Sequence, residues 1–224
     1  MGTVQDSSQH HFCGADVRVL VTIPNTGWIH KCVAAVACRL LPDPRYQVTI
    51  TFPTHTPYEN NLHHIVRDMV RSEYDFWLNI DSDNPPIENP LDLVEFNLDI
   101  IGLPTPVWHY TGKKGERPLY YNAYDRVGDA YREHETKQGL QAVDAVGTGC
   151  ILIASRVFQN QEMRLAPFQR QWNSDGTVHK GNDISFCERA IENGFGVWCH
   201  YDYPCRHLKE LELNEVVMGF RGIA

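Results

Sequence analysis

The chain lacks several features that define common protein classes. No apolar run approaches the roughly 18 residues that cross a bilayer, and the mean hydropathy is −0.38. The seven cysteines form no Cys-x-x-Cys pair, and their odd number indicates neither a zinc ribbon nor a disulfide framework. The opening residues, MGTVQDSSQHHF, lack the basic and apolar segments of a signal peptide. We therefore expect a cytoplasmic protein with reduced thiols and no membrane partner.

The composition is that of an ordinary folded domain. Apolar residues make up 42% and charged residues 21% of the 224 residues, which suffices for one domain with a sizeable core. The formal net charge is −8, so nucleic acid is a poor default partner. One compact basic cluster occurs, and we interpret it as a solvated loop: Lys113, Lys114 and Arg117.

Segments with strand and helix patterns alternate along the chain. Apolar, β-branched runs predict strands, and apolar residues at helical spacing predict helices. The predicted strands lie at 17–23, 46–52, 76–80, 98–103, 107–110, 119–123, 150–154 and 196–200. The predicted helices lie at 29–41, 60–71, 90–96 and 182–193. This order implies parallel strands with right-handed crossovers, so the chain is predicted to be α/β, with a mostly parallel central sheet flanked by helices.

Two carboxylates, Asp81 and Asp83, follow the predicted buried strand 76–80 directly. Ligands of open α/β sheets bind where strands end. Neighbouring negative charges cost energy unless a cation compensates them, and oxygen ligands suit Mg²⁺ and Mn²⁺. A helix-capping or Asp-rich turn is the competing interpretation of such a pair.

A glycine-rich turn precedes the strand 150–154. Gly147 and Gly149 flank Thr148, and glycine permits close backbone approach and positive φ. A bound sugar or phosphate would use that space, although an ordinary turn has the same composition.

Two residues further along are candidates for acid–base or metal chemistry. Asp183 lies at the start of the predicted helix 182–193, where Asn182 or Asp183 is a natural N-cap. The carboxylate of Asp183 is also a candidate general base. His207 follows the last predicted strand, and its imidazole is suited to complete a site with Asp83, although a lone histidine is more often structural.

Taken in order, these segments resemble the small GT-A glycosyltransferases, close to family-2-type enzymes and their phage-encoded relatives. The resemblance runs from about Arg18 to Leu208 and is most specific in three blocks: 74–86, 143–158 and 181–208. It implies a single Rossmann-like GT-A domain at 17–208, between a polar tail at 1–16 and a partly helical tail at 209–224.

The resemblance also implies an activity. Such enzymes use Mn²⁺ or Mg²⁺ to move a sugar from a nucleotide-sugar donor, here most simply a UDP-sugar, to a hydroxyl acceptor. Hydroxymethylated pyrimidine in phage DNA is one candidate acceptor, which would place the protein in the host cytoplasm. The sequence leaves the acceptor, the stereochemistry and the oligomeric state open.

Roles follow residue by residue from the same resemblance. The metal ligands are Asp81, Asp83 and His207, and the catalytic base of inverting members is Asp183. The donor-binding positions are Pro24, Asn25, Asn61, Arg67, Asp81, Gly147, Thr148 and Gly149.

The chain departs from the family pattern in three places. Residues 104–142, which show little regular pattern, have no clear counterpart in the family and are a candidate for the acceptor side. Residues 51–54 contain no acid suited to a uracil edge, which leaves the nucleotide open. Asn182 stands where an acidic residue commonly precedes the base, so inverting chemistry rests on Asp183 alone.

Two other functions use the same residues. A nucleotidyltransferase would use Asp81 and Asp83 on a nucleoside triphosphate, but the segment after the first strand lacks a glycine-rich phosphate loop. A non-catalytic sugar-binding or partner-binding module is the other alternative, and the carboxylates at 81, 83 and 183 argue against it.

Overall fold

The computed structural model describes residues 16–108 and 119–210. The polar tail before residue 16, the basic cluster of Lys113, Lys114 and Arg117, and the predicted helical tail from residue 211 onward lie outside the described residues. The predicted strand at 107–110 is described only in its first half, where the structure confirms extended pairing up to Trp108.

Strands and helices follow one another along the described residues, and most of them are short. In chain order they are β1 (Arg18–Thr22), α1 (Lys31–Leu40), β2 (Gln47–Thr51), α2 (Tyr58–Ser72), β3 (Phe76–Ile80), a 3₁₀ helix (Pro90–Phe96), β4 (Ile100–Gly102), β5 (Pro106–Trp108), β6 (Leu119–Tyr121), β7 (Ala123–Val127), β8 (Ala130–Glu133), β9 (Leu140–Ala142), β10 (Ala145–Val146), β11 (Cys150–Ala154), α3 (Arg156–Gln159), α4 (Gln161–Arg164), β12 (Gln171–Trp172), β13 (Val178–Lys180), α5 (Asn182–Glu192) and β14 (Val197–His200).

A seven-stranded sheet forms the centre of the molecule, in the order β2-β1-β3-β11-β4-β14-β9. Strands β2, β1, β3, β4 and β14 point one way, whereas β11 and β9 run antiparallel to their neighbours. The predicted α/β class with a mostly parallel sheet is therefore confirmed. Between β4 and β11, the described chain also forms two smaller sheets, one from β5 and β6 and one from β10, β7 and β8.

Both faces of the central sheet are covered, which explains the continuous apolar runs in its inner strands. One face packs Leu20 and Trp77 against α2 and α5, and the other packs Val19 and Leu78 against α1. The edge strand β2 alternates between exposed and half-buried residues instead. Burial of each large apolar side chain contributes about 1.5–3 kcal/mol, so β3, buried along its whole length, anchors the sheet.

Several loops converge at the carboxyl edge of the parallel strands. The chain leaves β1, β3, β4 and β14 there, and β11, being antiparallel, begins there. Crossover helices return along the sheet, so α2 and α5 both start near this edge. In the described ranges no helix has the length and apolarity needed to cross a bilayer.

Candidate functional site

Asp81 lies at the end of β3 and is held by three hydrogen bonds. Its Oδ1 accepts one from the Tyr58 hydroxyl at 2.7 Å and one from Asn79 Nδ2 at 3.2 Å. Its backbone N–H donates to the Gly149 carbonyl at 2.8 Å. Burial raises the pKa of Asp81 to about 7; the Tyr58 hydrogen bond opposes this shift, and the nearby charge of Asp83 adds to it. The carboxyl group is thus strongly perturbed at a strand end, as is common at functional sites.

A buried hydrogen-bond chain connects Asp81 to the core. Trp77 Nε1 donates to Thr22 Oγ1 at 2.8 Å, and this hydroxyl donates to Asn79 Oδ1 at 2.9 Å. Asn79 Nδ2 then donates to the Thr148 carbonyl at 2.8 Å as well as to Asp81. Because the amide oxygen and nitrogen of Asn79 are both engaged, its orientation is fixed.

Asp83 points away from this chain and toward two basic side chains. Its Oδ2 lies 3.6 Å from His207 Nε2 and 2.5 Å from Lys209 Nζ. Burial raises the pKa of Asp83, but the interactions with His207 and Lys209 outweigh it and hold the pKa at about 2. The Asp83 carboxylate in turn raises the pKa of His207, whose Nδ1 lies 2.7 Å from the Pro106 carbonyl. The structure therefore brings Asp83 and His207 together across more than half of the chain.

Backbone pairing explains how His207 reaches Asp83. Segments 83–87 and 204–208 run antiparallel and share three backbone hydrogen bonds of 2.9–3.1 Å, including one from Leu208 N–H to the Asp83 carbonyl. This ladder fixes the end of the described chain against the loop that carries the carboxylates.

The predicted metal ligands form a chemically suitable set. The carboxylates of Asp81 and Asp83 match the oxygen preference of Mn²⁺ and Mg²⁺, and the imidazole of His207 adds a nitrogen donor that suits a transition metal better than Mg²⁺. Over residues 16–108 and 119–210, no three His, Cys, Asp or Glu side chains converge closely enough to hold one metal ion. In this structure the Tyr58 hydroxyl donates to the Asp81 carboxylate and the Lys209 ammonium donates to that of Asp83. By chemical type, the two carboxylates and the imidazole would suit a divalent transition metal ion.

The glycine-rich turn accommodates the protein's own side chains. A Cβ on Gly147 would overlap Asn122 Nδ2, and one on Gly149 would lie 2.9 Å from Asn84 Nδ2. Neither glycine adopts a positive φ. Of the two properties that glycine permits, the turn uses close approach, and the groups that approach are the side chains of two asparagines. Thr148 between them is buried, with its carbonyl bonded to Asn79.

Asp183 lies in the first turn of α5, but it does not cap the helix. The N-cap is Gly181, so the predicted cap at Asn182 or Asp183 is wrong. Asp183 Oδ1 instead accepts from Ile184 N–H at 2.9 Å. A Cβ on Gly181 would lie 2.7 Å from that oxygen, so glycine leaves room for the carboxylate. Burial raises the pKa of Asp183, and the Ile184 hydrogen bond partly opposes it.

The helix face that carries Asp183 packs against β10. Cys187 lies one helical turn after Asp183, on the same face of the helix. Its Sγ lies 3.5 Å from the Val146 amide nitrogen and 3.6 Å from the Val146 carbonyl oxygen. Residue 146 immediately precedes the 147–149 turn, so this face of α5 packs against β10, next to that turn.

The loops expected to bind the donor meet at one carbonyl group. The Pro53 carbonyl accepts from the Asn25 backbone at 3.1 Å and from Asn61 Nδ2 at 3.1 Å. Pro24 is buried next to Asn25, at the end of β1. Asn61 Oδ1 is buried and has no hydrogen-bond partner within the described residues. Pro24, Asn25 and Asn61 therefore lie together at the carboxyl edge.

Arg67 is not brought to this edge. It lies nine residues after Tyr58 on α2, about 14 Å further along the helix axis. Its side chain is exposed and lies 3.6 Å from Asp68. The other predicted site residues cluster near the start of the helix, so Arg67 lies apart from them.

Four further residues belong to the site although the sequence did not point to them: Tyr58, Tyr124, Arg170 and Lys209. Tyr58 bonds Asp81, and Lys209 bonds Asp83. Burial and the charge of Asp183 raise the pKa of Tyr124 to about 12. Arg170 pairs with Glu59, and its charge lowers the pKa of Asp183. Of the four, only Lys209 had a signal that could have found it, because it lies two residues beyond His207.

Comparison with known proteins supports the fold. No family model and no curated protein matches the chain. Among solved structures, A197 from STIV is 16% identical with a TM-score of 0.56, and the match covers 87% of each chain. GalNAc-T7, solved with UDP, GalNAc and Mn²⁺, is 10% identical with a TM-score of 0.50, over 88% of this chain and 44% of that one.

A third structure, apo UDP-glucose pyrophosphorylase, is 6% identical over 92% of this chain and 80% of that one. Its TM-score of 0.40 is too low to carry an argument. At such identities the likenesses show the fold alone. Together with the sheet order and direction, they show that the chain has a Rossmann-like α/β fold of the GT-A type.

Proposed function

We propose that the protein is a divalent-metal-dependent glycosyltransferase that uses a nucleotide-sugar donor. The observation that supports this most directly is the meeting of Asp83 and His207, 3.6 Å apart, beside Asp81 at the carboxyl end of β3. Ligand sites of open α/β sheets lie at such strand ends. The structural neighbour GalNAc-T7 was solved with UDP, GalNAc and Mn²⁺, which favours a UDP-sugar as donor.

The metal would be held by Asp81, Asp83 and His207. When bound there, Mn²⁺ or Mg²⁺ neutralises the negative charge that develops on a leaving nucleoside diphosphate. The loop at Pro24 and Asn25 is the proposed contact for the nucleotide base, since it lies at the same edge of the sheet.

The donor sugar would lie beside the turn that contains Thr148. Asn79 fixes the Thr148 carbonyl, and the Thr148 hydroxyl lies 3.5 Å from that of Tyr58. These contacts make the wall of the site rigid, which suits the positioning of a reacting sugar.

Asp183 is the proposed general base. Burial raises its pKa, and a carboxylate with a raised pKa is a stronger base toward a hydroxyl group. Arg170 moderates this shift through its positive charge. This role assumes inversion at the anomeric carbon, whereas in a retaining reaction Asp183 would orient the acceptor.

The acceptor is proposed to be a hydroxyl compound that enters beside Asp183. Hydroxymethylated DNA remains one candidate, and its binding would weaken steeply with added salt because phosphate contacts release counterions. Transfer to a small hydroxyl acceptor at a rate independent of salt would exclude DNA.

The decisive experiment combines ligand binding with one substitution. UDP-sugars at about 100 times their Kd should stabilise the wild-type protein by about 2.7 kcal/mol, and Mn²⁺ should increase the thermal shift. Asp83→Asn should abolish the metal-dependent part of the shift. The matched control is Asp68→Asn, which removes an exposed carboxylate on α2. This variant should keep the metal-dependent part of the thermal shift. An Asp83→Asn variant that behaves like wild type, or a wild type that binds no nucleotide-sugar, would contradict the proposal.

A further inference from the structure

Lys209 occupies an unusual position for a surface lysine. Its Nζ lies 2.5 Å from Asp83 Oδ2, although its side chain is 58% exposed. The same carboxylate oxygen faces His207 Nε2 at 3.6 Å. Two basic side chains from one short segment therefore converge on a single oxygen atom of Asp83.

A divalent cation shared by Asp83 and His207 would compete with Lys209 for the Asp83 carboxylate. His207 faces the same oxygen atom that the Lys209 ammonium contacts, so a cation held between Asp83 and His207 would lie close to the ammonium. Like charges in such proximity repel, so the ammonium must leave Asp83. Lysine carries its charge on a flexible four-carbon stem, so Lys209 can swing away without any movement of the backbone that holds His207.

The donor supplies a new partner for the displaced charge. A nucleoside diphosphate brings phosphate oxygens to the metal, and these lie beside the carboxylate that Lys209 has just left. Lysine is a common phosphate ligand and acts as a point charge. We propose that Lys209 is the counter-charge of Asp83 before the metal binds and a ligand of the donor diphosphate afterwards. This inference rests on the proposed function.

The proposal predicts that Lys209→Ala changes the affinities for Mn²⁺ and for UDP in opposite directions. Without the competing ammonium, Mn²⁺ alone should bind about two- to fivefold more tightly, the range for an exposed ion pair. UDP in saturating Mn²⁺ should bind about tenfold more weakly, because a charge-assisted hydrogen bond is lost. Lys209→Arg should restore UDP binding. A purely structural role for Lys209 would weaken both ligands together.

Isothermal titration of the full chain with Mn²⁺ alone, and with UDP in Mn²⁺, tests this directly. The control is Lys137→Ala, which removes a lysine paired with Glu133 at 2.8 Å on β8 and should change neither affinity. A wild type that fails to bind UDP overturns the proposed function and this inference together. A wild type that binds UDP, with Lys209→Ala unchanged or weakened for both ligands, overturns the inference alone. Unfolding curves establish that each variant is folded.

Discussion

Thr22 and Asn79 share a buried hydrogen bond of 2.9 Å. They occupy paired positions on the parallel strands β1 and β3, and both side chains are fully buried. The Thr22 hydroxyl donates to the amide oxygen of Asn79, so the amide nitrogen must face Asp81 and the Thr148 carbonyl. A polar contact inside the sheet thereby determines the hydrogen bonding of the candidate site.

Thr22→Val tests this relationship, because valine has the same shape and no hydroxyl. Trp77 Nε1 would lose its acceptor and Asn79 Oδ1 its donor. We expect the free energy of unfolding to fall by about 2–4 kcal/mol, since two buried polar groups lose their partners. Urea denaturation measures the change. Thr22→Ser keeps the hydroxyl and should lower the free energy of unfolding by only about 1 kcal/mol. An equal loss in the valine and serine variants would disprove the role of the hydroxyl.

Asp183→Asn should separate catalysis from binding. The amide keeps the shape of the carboxylate but does not accept a proton, so turnover of the nucleotide-sugar should fall about 10²- to 10⁴-fold. Binding of UDP should stay within about twofold, because Asp183 is placed on the acceptor side. Steady-state kinetics and calorimetry provide the two measurements.

The matched control for Asp183 is Glu192→Gln at the opposite end of α5, which should leave turnover unchanged. Retention of more than about a tenth of wild-type turnover by Asp183→Asn would be incompatible with a general base, whose contribution is larger.

Gly147→Ala should destabilise the protein because the added methyl group meets Asn122. The methyl carbon would overlap Nδ2, so Asn122 must move, although its Oδ1 accepts from Thr105 N–H at 2.7 Å. We expect a loss of about 1–3 kcal/mol in urea unfolding, as for other overpacked sites.

A double-mutant cycle isolates that contact. Asn122→Ala alone should also destabilise, since the Thr105 amide loses its acceptor. In the Gly147→Ala, Asn122→Ala double variant, the loss in the free energy of unfolding should be about 1 kcal/mol smaller than the sum of the losses in the two single variants. Strict additivity would show that the two residues do not interfere.

An acid-sensitive ion pair lies beside the 3₁₀ helix. The hydrogen bond from Arg45 lowers the pKa of Asp43 from its ordinary value of 3.8 to about 2, and burial opposes the shift only partly. A lowered carboxyl pKa stabilises the folded state fully above the unfolded-state value, and this stabilisation is lost as the pH falls toward 2. Because Arg45 is partly exposed, this contribution is about 1 kcal/mol.

Asp43→Asn should therefore lower the free energy of unfolding by about 1 kcal/mol at neutral pH. The difference from wild type should shrink as the pH drops below 3.8 and vanish only below the folded-state pKa of about 2. Denaturant unfolding across this range measures it. A difference that is constant with pH would mean that the aspartate acts through packing rather than charge.

The sequence predicted the features that arise from local patterns. The apolar run of β3 ends abruptly at Asp81, and this boundary was correctly placed because burial on both faces leaves no room for charge. Helix α2 was recognised from its apolar spacing and extends two residues before and one beyond the predicted 60–71 range. These elements position the carboxylates, so the location of the candidate site was predictable.

Features that depend on distant partners were not predictable. Tyr58 contacts Asp81 only because α2 starts above the end of β3, and no spacing in the sequence encodes that distance. The helix cap was misassigned because the choice between Gly181 and Asp183 depends on the room around one carboxylate oxygen. Among the short strands β6–β10, the sequence predicted the segment 119–123, which includes β6, whereas the strands β7–β10, of two to five residues, are too short for a clear periodic pattern.

The pairing of 83–87 with 204–208 has a consequence for the order in which the molecule is built. Every strand of the central sheet is complete at His200, before His207 and Lys209 leave the ribosome. A growing chain can thus form its scaffold while Asp83 still lacks both of its basic neighbours. Both basic neighbours of Asp83, His207 and Lys209, are therefore added after the central sheet, within the segment that follows Tyr203.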